Sequence, residues 1–198
     1  MNAQSRAAVY DEVLAAAAAA HERMRRQDPG PIVAAAHAVA TSIREAGKVL
    51  VFGNGGSAAD AQHLSAELVG RLKRERAAIG AIALTADTSV LTALANDYSF
   101  DRVFARQVEA LGRAGDVAIG ISTSGLSRNV LAGIAAARDA GLTTIGFTGH
   151  DGGPLGRSVD IHVNVPESDT ARAQEVQRTL LHILCELVEM ELATRNTT

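Results

Sequence analysis

Apolar residues along the chain follow two alternating patterns, one typical of helices and one typical of buried strands. The first residues predict two helices, at about 3–26 and 32–46, separated by the Pro- and Gly-rich cluster 28–31. Gly47 lies where the second helix is expected to stop and is a plausible C-terminal cap. Residues 49–52 then form a short continuous apolar run, which is the pattern of a strand buried on both faces.

Similar apolar runs recur four more times, and segments of helical pattern separate most of them. Further strands are predicted at 81–84, 117–121, 144–147 and 161–165. Helices are predicted at about 57–73, 88–95, 101–112, 127–140 and 171–194. Strands that alternate with helices form βαβ units, so we expect an α/β protein whose parallel sheet is covered by helices on both faces. We expect a single domain over 1–198, with an N-terminal helical pair at 1–46 and an α/β core at 47–194.

Length and composition fit one ordinary globular domain. The chain has 198 residues, of which 47% are hydrophobic and 21% charged, and this balance argues against disorder. A net charge of −3 argues against nucleic acid or an anionic membrane surface as the main partner. Only 3% of the residues are aromatic and none is Trp, so platforms for base stacking are hard to build.

The cysteine content and the apolar runs of the sequence indicate the cellular compartment of the protein. Cys185 is the only cysteine, which excludes a disulfide framework and a cysteine-based zinc site within one chain. The longest apolar run, 13–20, is far too short to span a membrane. Asp11 and Glu12 interrupt what would be the apolar part of a secretion signal. We therefore expect a cytoplasmic protein.

Two loops rich in glycine and hydroxyl residues follow predicted strands and precede predicted helices. The first is Gly-Asn-Gly-Gly-Ser at 53–57, and the second is Ser-Thr-Ser-Gly-Leu-Ser at 122–127. Glycine lets the backbone approach a ligand, hydroxyl groups donate hydrogen bonds, and a helix N-terminus favours an anion. Either loop alone is also typical of an ordinary turn with an N-cap. Four hydroxyl residues within six positions favour a phosphate site at the second loop.

The first loop also satisfies the dinucleotide-binding pattern G-x-G-x-x-A at 53–58. That pattern requires an acidic residue about 20 positions later, at the end of the second strand. Glu75 precedes the predicted second strand and Asp87 lies too far along. NAD binding therefore stays a weaker alternative.

Titratable side chains on two predicted helices suggest acid–base or metal chemistry. His63 and Glu67 are four residues apart, which places them on one face of a helix within reach of a shared proton or metal. On the last helix, Gln174 and His182 lie on the same broad side, although His182 is surrounded by apolar neighbours that are typical of a core histidine. Such pairs are common on helices, so this spacing by itself indicates little.

Other polar residues carry less information. The remaining histidines have no comparable partner spacing and are interpreted as surface or structural residues: His21, His37, His150 and His162. Asn96 and Asp97 are expected at a loop edge, where these residue types commonly end helices.

Four stretches together resemble the phosphoheptose isomerases, enzymes with a sugar isomerase (SIS) domain that act on sedoheptulose 7-phosphate. The stretches are GNGGSAADAQHLSAEL at 53–68, LTALANDYSF at 91–100, GDVAIGISTSGLSRNVL at 115–131 and QEVQRTLLHIL at 174–184. The resemblance extends over roughly 10–192 without a large insertion. It implies a five-stranded parallel sheet flanked by helices, and a homotetramer whose active sites draw residues from more than one subunit.

The resemblance also implies roles for individual residues. Glu67 and His182 match the family's catalytic base and acid. The implied ligands of one Zn²⁺ per subunit are His63, Glu67, Gln174 and His182. The implied contacts to the sugar phosphate are Asn54, Gly55, Gly56, Ser57, Glu67, Asn96, Asp97, Ser122, Thr123, Ser124, Ser127 and Gln174. The implied reaction is the isomerisation of D-sedoheptulose 7-phosphate to D-glycero-D-manno-heptose 7-phosphate through an enediol, a step in heptose biosynthesis.

Three positions depart from the family pattern, and two other functions stay open. Gln177 replaces a histidine common in relatives, Leu126 an asparagine, and Ser99 a glycine. One alternative is a non-catalytic SIS scaffold of the replication-initiator-associating type, although such relatives tend to lose the equivalents of Glu67 and His182. The other is an isomerase of a different sugar phosphate.

Overall fold

The computed structural model describes residues 3–193 as eight α-helices, one short 3-10 helix and five β-strands. The predicted domain limits at 1, 194 and 198 lie outside the described residues. The elements are α1 (Ala3–Arg25), α2 (Gly30–Arg44), β1 (Val49–Gly53), α3 (Gly56–Val69), β2 (Ala81–Ala83), α4 (Thr88–Asp97), the 3-10 helix (Phe100–Arg102), α5 (Val103–Leu111), β3 (Val117–Ser122), α6 (Arg128–Asp139), β4 (Thr143–Thr148), α7 (Gly153–Ser158), β5 (Ile161–Asn164) and α8 (Thr170–Ala193).

All five strands form one parallel sheet in the order β2-β1-β3-β4-β5, which confirms the predicted fold class. The strand order reverses between β1 and β3, because β2 lies on one side of β1 and β3 to β5 extend on the other. In open α/β sheets such a switch point opens a crevice at the carboxyl ends of the two strands. Here the two glycine–hydroxyl loops follow those two ends.

Alternating residues of β1 enter the cores on opposite faces of the sheet. Val49 and Val51 pack into the core covered by α1, α2, α3 and α8. Leu50 and Phe52 pack into the core covered by α4, α5, α6 and α7. Both faces are therefore apolar, which explains the continuous apolar run in the sequence.

Several predicted helix ends were wrong by a few residues. The third helix ends at Val69 rather than 73, and Gly70 follows it with its N–H donated to Ala66. The second helix begins at Gly30 rather than 32, because the proline after it fits the first helical turn, where a missing N–H costs nothing.

The C-terminal cap of α2 also differs from the prediction. Ala46, not Gly47, adopts the left-handed conformation, with φ of 61°. Gly47 instead donates its N–H to the carbonyl of Ser42 over 2.8 Å, which completes the cap. A Cβ at position 47 would lie 2.9 Å from the carbonyl oxygen of Gly115, so glycine is required there for close approach.

The short helix α7 and the 3-10 helix were not predicted. Within 3–193 no helix is both long enough and apolar enough to cross a bilayer.

Candidate active site

The two glycine–hydroxyl loops face each other across the β1/β3 switch point and line a cavity of about 290 Å³. Thr170 and Gln174, at the start of α8, close its other side. Nine of the predicted contact residues line this cavity: Asn54, Gly55, Gly56, Ser57, Ser122, Thr123, Ser124, Ser127 and Gln174.

The second loop gathers its hydroxyl groups at one point. The Oγ atom of Ser122 lies 2.9 Å from that of Ser127 and 3.5 Å from that of Ser124. The backbone N–H of Leu126 donates to the Ser124 hydroxyl over 3.2 Å. Helix α6 begins directly after Ser127, so its N-terminal N–H groups point toward the same region.

Glycine is required in the first loop for two separate reasons. Gly55 has φ of 56°, a left-handed conformation that side chains disfavour, and it immediately precedes α3. A Cβ on Gly56 would lie 2.5 Å from Nε2 of Gln174. A side chain at position 56 would therefore displace the Gln174 amide from the loop backbone.

None of the described residues that line this cavity is charged. An anion held here would be bound by hydroxyl groups, by backbone N–H groups and by the positive ends of α3 and α6. This arrangement suits a phosphate group in a protein of slightly negative net charge.

Helices α3 and α8 run parallel, and polar residues pair along the line where they meet. Gly56 contacts Gln174 at the N-terminal end. About one turn later Arg178 donates to Oδ1 of the buried Asp60, with its Nε at 2.8 Å. After a further turn, Nε2 of His63 lies 2.7 Å from Nε2 of His182. The parallel register thus brings residues more than 100 positions apart into one row.

The last of these pairs forms a cluster with Glu67. Oε1 of Glu67 lies 3.7 Å from Nε2 of His63. One ligand atom from each of His63, Glu67 and His182 falls within 4.8 Å of the others, and all three side chains are half-buried. The structure therefore brings the predicted base, the predicted acid and a predicted metal ligand together within one chain.

This donor set fits a zinc ion. Two imidazole nitrogens and a carboxylate are typical zinc ligands, and ligands of a tetrahedral site with bonds of about 2.0 Å lie about 3.3 Å apart. The 2.7 Å and 3.7 Å separations bracket that value. Gln174 lines a second cavity, of about 580 Å³, together with His182. Gly56 and Gln174 belong to both cavities, so the phosphate loops open toward His182.

A buried ion pair holds the C-terminal end of α3, where Glu67 lies. Nη2 of Arg76 donates to the carbonyl oxygen of Glu67 over 2.8 Å, and Nε of Arg76 lies 3.4 Å from Oε1 of Glu189. The Glu189 carboxylate accepts three backbone N–H groups from 72–74 over 2.8 to 3.1 Å. Desolvation by itself raises the pKa of Glu189, but the three N–H groups and the Arg76 charge outweigh it, so the pKa lies below its usual value. The loop after α3 is thus fixed to α8.

The single cysteine lies near this cluster but is chemically inert. Cys185 is buried on α8. Desolvation, with the negative charges of Glu67 and Glu189, raises the pKa of its thiol to about 12. It therefore stays protonated at neutral pH and offers no thiolate to a metal.

Two predicted contact residues lie elsewhere in the chain. Asn96 and Asp97 form the exposed last turn of α4, where Nδ2 of Asn96 donates to Oδ1 of Asp97 over 2.9 Å. Neither lines the two cavities described above. Within one chain, the fold does not bring them to the loops.

Sequence reasoning missed two residues beside the site. His21 lines the cavity that contains His182, with its Nε2 2.9 Å from Oγ1 of Thr179. Asn129 is buried and pairs with Asn54 across the two loops. The packing of α1 on α8 is a long-range contact that sequence spacing does not reveal. Asn129 lies only six residues after Thr123 in the sequence, and this proximity could have indicated that Asn129 lies next to the second loop.

Comparisons with known proteins show which family and fold this chain resembles. A sequence profile of the SIS domain matches residues 12–149. The chain is 54% identical to a phosphoheptose isomerase of Roseiflexus sp. over 93% of both chains, and 56% identical to that of Aquifex aeolicus over 83% of this chain and 86% of the other. The solved structure of a phosphoheptose isomerase from Neisseria gonorrhoeae superposes with a TM-score of 0.87 at 42% identity, covering 96% of this chain and all of the other.

Proposed function

Because this chain belongs to the SIS domain family and, within it, to the phosphoheptose isomerases, we propose that it converts D-sedoheptulose 7-phosphate into D-glycero-D-manno-heptose 7-phosphate. The observation that carries the proposal is the placement of Glu67 beside His182, on the same two helices whose N-terminal residues Gly56 and Gln174 line the uncharged loop cavity.

The reaction moves one proton between two carbons. The Glu67 carboxylate removes a proton from C1 of the ketose, and the electron pair of that bond forms the C1–C2 double bond of an enediol. His182 protonates the C2 oxygen as it becomes a hydroxyl group, and later accepts the proton from the C1 hydroxyl. Return of the proton to C2 then gives the aldose. No atom is gained or lost overall.

The loops fix the substrate for this step. The phosphate occupies the cavity between the two loops, and the sugar carbons extend past Gly56 and Gln174 toward His182. Holding the substrate by its far end leaves C1 and C2 beside the titratable groups.

Zinc binding is part of the proposal. His63, Glu67, Gln174 and His182 would hold the ion, which when bound polarises the substrate oxygens and stabilises negative charge on them. A Glu67 oxygen that held zinc would be a weaker base, so the second oxygen of the carboxylate would take the proton. We expect protein purified without chelator to contain about one zinc per chain by elemental analysis, as for a site of four protein ligands. His63→Ala should lose the metal, whereas His37→Ala, on the outer surface of α2, should keep it.

We further propose a homotetramer in which a neighbouring subunit completes each site. The exposed positions of Asn96 and Asp97 support this, because these family contact residues lie outside the cavities of their own chain. A stripe of exposed apolar residues on α1 offers surface for assembly: Val9, Tyr10, Val13 and Leu14. Light scattering coupled to gel filtration should give a mass of four chains, and a monomer would contradict it.

A turnover assay tests the proposed reaction. Purified protein incubated with sedoheptulose 7-phosphate should form the aldose, detected by NMR, with and without added Zn²⁺. Turnover of another phosphorylated ketose but not of this one would assign a different substrate. Absence of turnover with any of them would favour the scaffold alternative.

A further inference from the structure

The two phosphate loops are joined by a reciprocal pair of side-chain amides. Nδ2 of Asn54 donates to Oδ1 of Asn129 over 2.8 Å, and Nδ2 of Asn129 donates to Oδ1 of Asn54 over 2.9 Å. Asn54 comes directly after β1 in the first loop, and Asn129 lies in the first turn of α6, after the second loop. The pair is therefore a direct side-chain link between the loops that line the cavity.

A third hydrogen bond fixes the orientation of both amides. The backbone N–H of Val130 donates to Oδ1 of Asn129 over 2.9 Å. This oxygen must accept, so Asn129 has one orientation, and a rotated Asn54 amide would place oxygen against oxygen and nitrogen against nitrogen. Val130 is itself buried within the core of that face. The orientation of Asn54 is thus set from the backbone of α6.

Asn54 and Asn129 have different relations to the cavity. Asn54 lines it and is half-buried, whereas Asn129 does not line it and is only 3% exposed. One of the two N–H bonds on Nδ2 of Asn54 is used by Asn129, which leaves the other to donate to a ligand. The Asn129 side chain does not line the cavity, so it can influence a ligand there only through Asn54.

We propose that Asn129 is a positioning residue, which orients the Asn54 amide toward the phosphorylated substrate and sets the separation of the two loops. The proposal rests on the proposed function for the identity of the substrate, but not for the anion site itself. Asn129 acts only through Asn54, so its removal should weaken binding of the phosphate group much more than it slows the chemical step.

Four proteins test this: the unchanged chain, Asn54→Ala, Asn129→Ala and the double variant. Each is measured for kcat and KM with sedoheptulose 7-phosphate, and for the affinity of inorganic phosphate by calorimetry. We expect Asn129→Ala to raise KM and the phosphate Kd by about three- to tenfold, the size of a lost hydrogen bond, with kcat changed by less than about twofold. In the Asn54→Ala background, Asn129→Ala should have no further effect on either quantity. Independent, additive effects would overturn the proposal.

Two further variants separate positioning from folding. Asn129→Asp keeps the size of the side chain and can accept from Val130 and Asn54, but it cannot donate to Oδ1 of Asn54. It should fold and still weaken phosphate binding, and unchanged binding would overturn the proposal. Asn164→Ala is the matched control, because this β5 amide is hydrogen-bonded to Thr148 of β4 and to the carbonyl of His150, and it lines neither the loop cavity nor the cavity that contains His182. It should leave kcat, KM and the phosphate Kd unchanged.

The phosphate measurement distinguishes a failure of the proposed substrate from a failure of the proposed role of Asn129. If the unchanged chain binds phosphate but does not turn over the heptulose, the proposed substrate is wrong and the four-protein comparison still decides the role of Asn129. If the unchanged chain does not bind phosphate at millimolar concentration, the positioning role is wrong whatever the turnover.

Discussion

The loop cavity and the cluster on α3 and α8 are adjacent, but they are built by opposite means. The cavity is lined by hydroxyl groups, glycine backbone and amides, with no charged side chain among its described lining residues. The cluster consists of three titratable groups, two of which come from α3 and one from α8. The loops are suited to bind one end of a substrate without a titratable side chain, whereas the cluster is suited to move protons and hold a metal at the other end.

The contacts that hold the loops in place also differ from those that hold the cluster in place. Each loop is positioned by its own strand and helix, and one amide pair joins the two. The cluster depends on two helices separated by about 100 residues, and on the Arg76–Glu189 pair that fixes the end of α3. Changes in the two regions should therefore have distinct signatures, in KM for the loops and in kcat for the cluster.

The largest expected effect lies in the cluster. Glu67→Gln retains the shape of the side chain but removes the base, so kcat should fall by about 10²-fold or more while KM changes by less than about threefold. Steady-state kinetics at saturating substrate provide the measurement.

Glu186→Gln is the matched control for that variant. Glu186 lies on α8 and forms only a surface ion pair with Lys73, over 2.7 Å, which contributes little. Its kcat should equal that of the unchanged chain. If Glu67→Gln also retains full kcat, Glu67 is not the base.

The next largest effect is expected on the free energy of unfolding, at the Arg76–Glu189 pair that holds the end of α3 beside the cluster. Because Glu189 has a lowered pKa in the folded chain, its contribution is complete above the unfolded value of about 4.3 and is lost as the pH falls through the folded value. Glu189→Gln should lower the free energy of unfolding by about 2 kcal/mol at pH 7, and it should remove this part of the acid sensitivity.

Urea unfolding at pH 7 and pH 4 measures both quantities. Glu45→Gln, at the end of α2 and exposed, is the control and should unfold like the unchanged chain. Equal losses of stability on acidification in Glu189→Gln and in the unchanged chain would remove Glu189 from this role.

The smallest effect is expected at the loops, where several groups share the phosphate. Ser127→Ala removes one hydroxyl and should raise KM by about three- to tenfold with kcat nearly unchanged. Ser158→Ala, whose hydroxyl donates to Leu155 in α7, is the control. A fall in kcat as large as that of Glu67→Gln would show that the two regions do not divide binding from chemistry.

The difference between the loop cavity and the cluster also explains which parts of the site the sequence could predict. The loops could be predicted because a strand, a glycine–hydroxyl segment and a helix are consecutive in the chain. The apolar runs, separated by helices, predicted the parallel sheet. The i, i+4 spacing linked His63 to Glu67, but it carried no information on the register of α8 against α3. The link to His182 and Gln174 came only from the family resemblance.

Other features depend on contacts that no local pattern reveals. Gly70 ends α3, although the helical pattern predicted a helix to about 73. The backbone N–H groups of 72–74 donate to the Glu189 carboxylate instead of to helical carbonyl groups, a long-range contact that the local sequence does not reveal. Asn129 was overlooked because a lone asparagine after a hydroxyl loop is typical of an ordinary helix start.

One measurement tests the central claim most directly: the isomerisation run in D₂O, with the position of deuterium in the aldose read by NMR. Removal of a C1 proton by Glu67, through an enediol, predicts that deuterium accumulates at C2 of the product over repeated reversible turnovers, because the proton held by the carboxyl group can exchange with solvent before it is returned. A product that still carries only protium at C2 after many turnovers would indicate direct transfer of hydrogen between the carbons, and it would contradict the role assigned to Glu67.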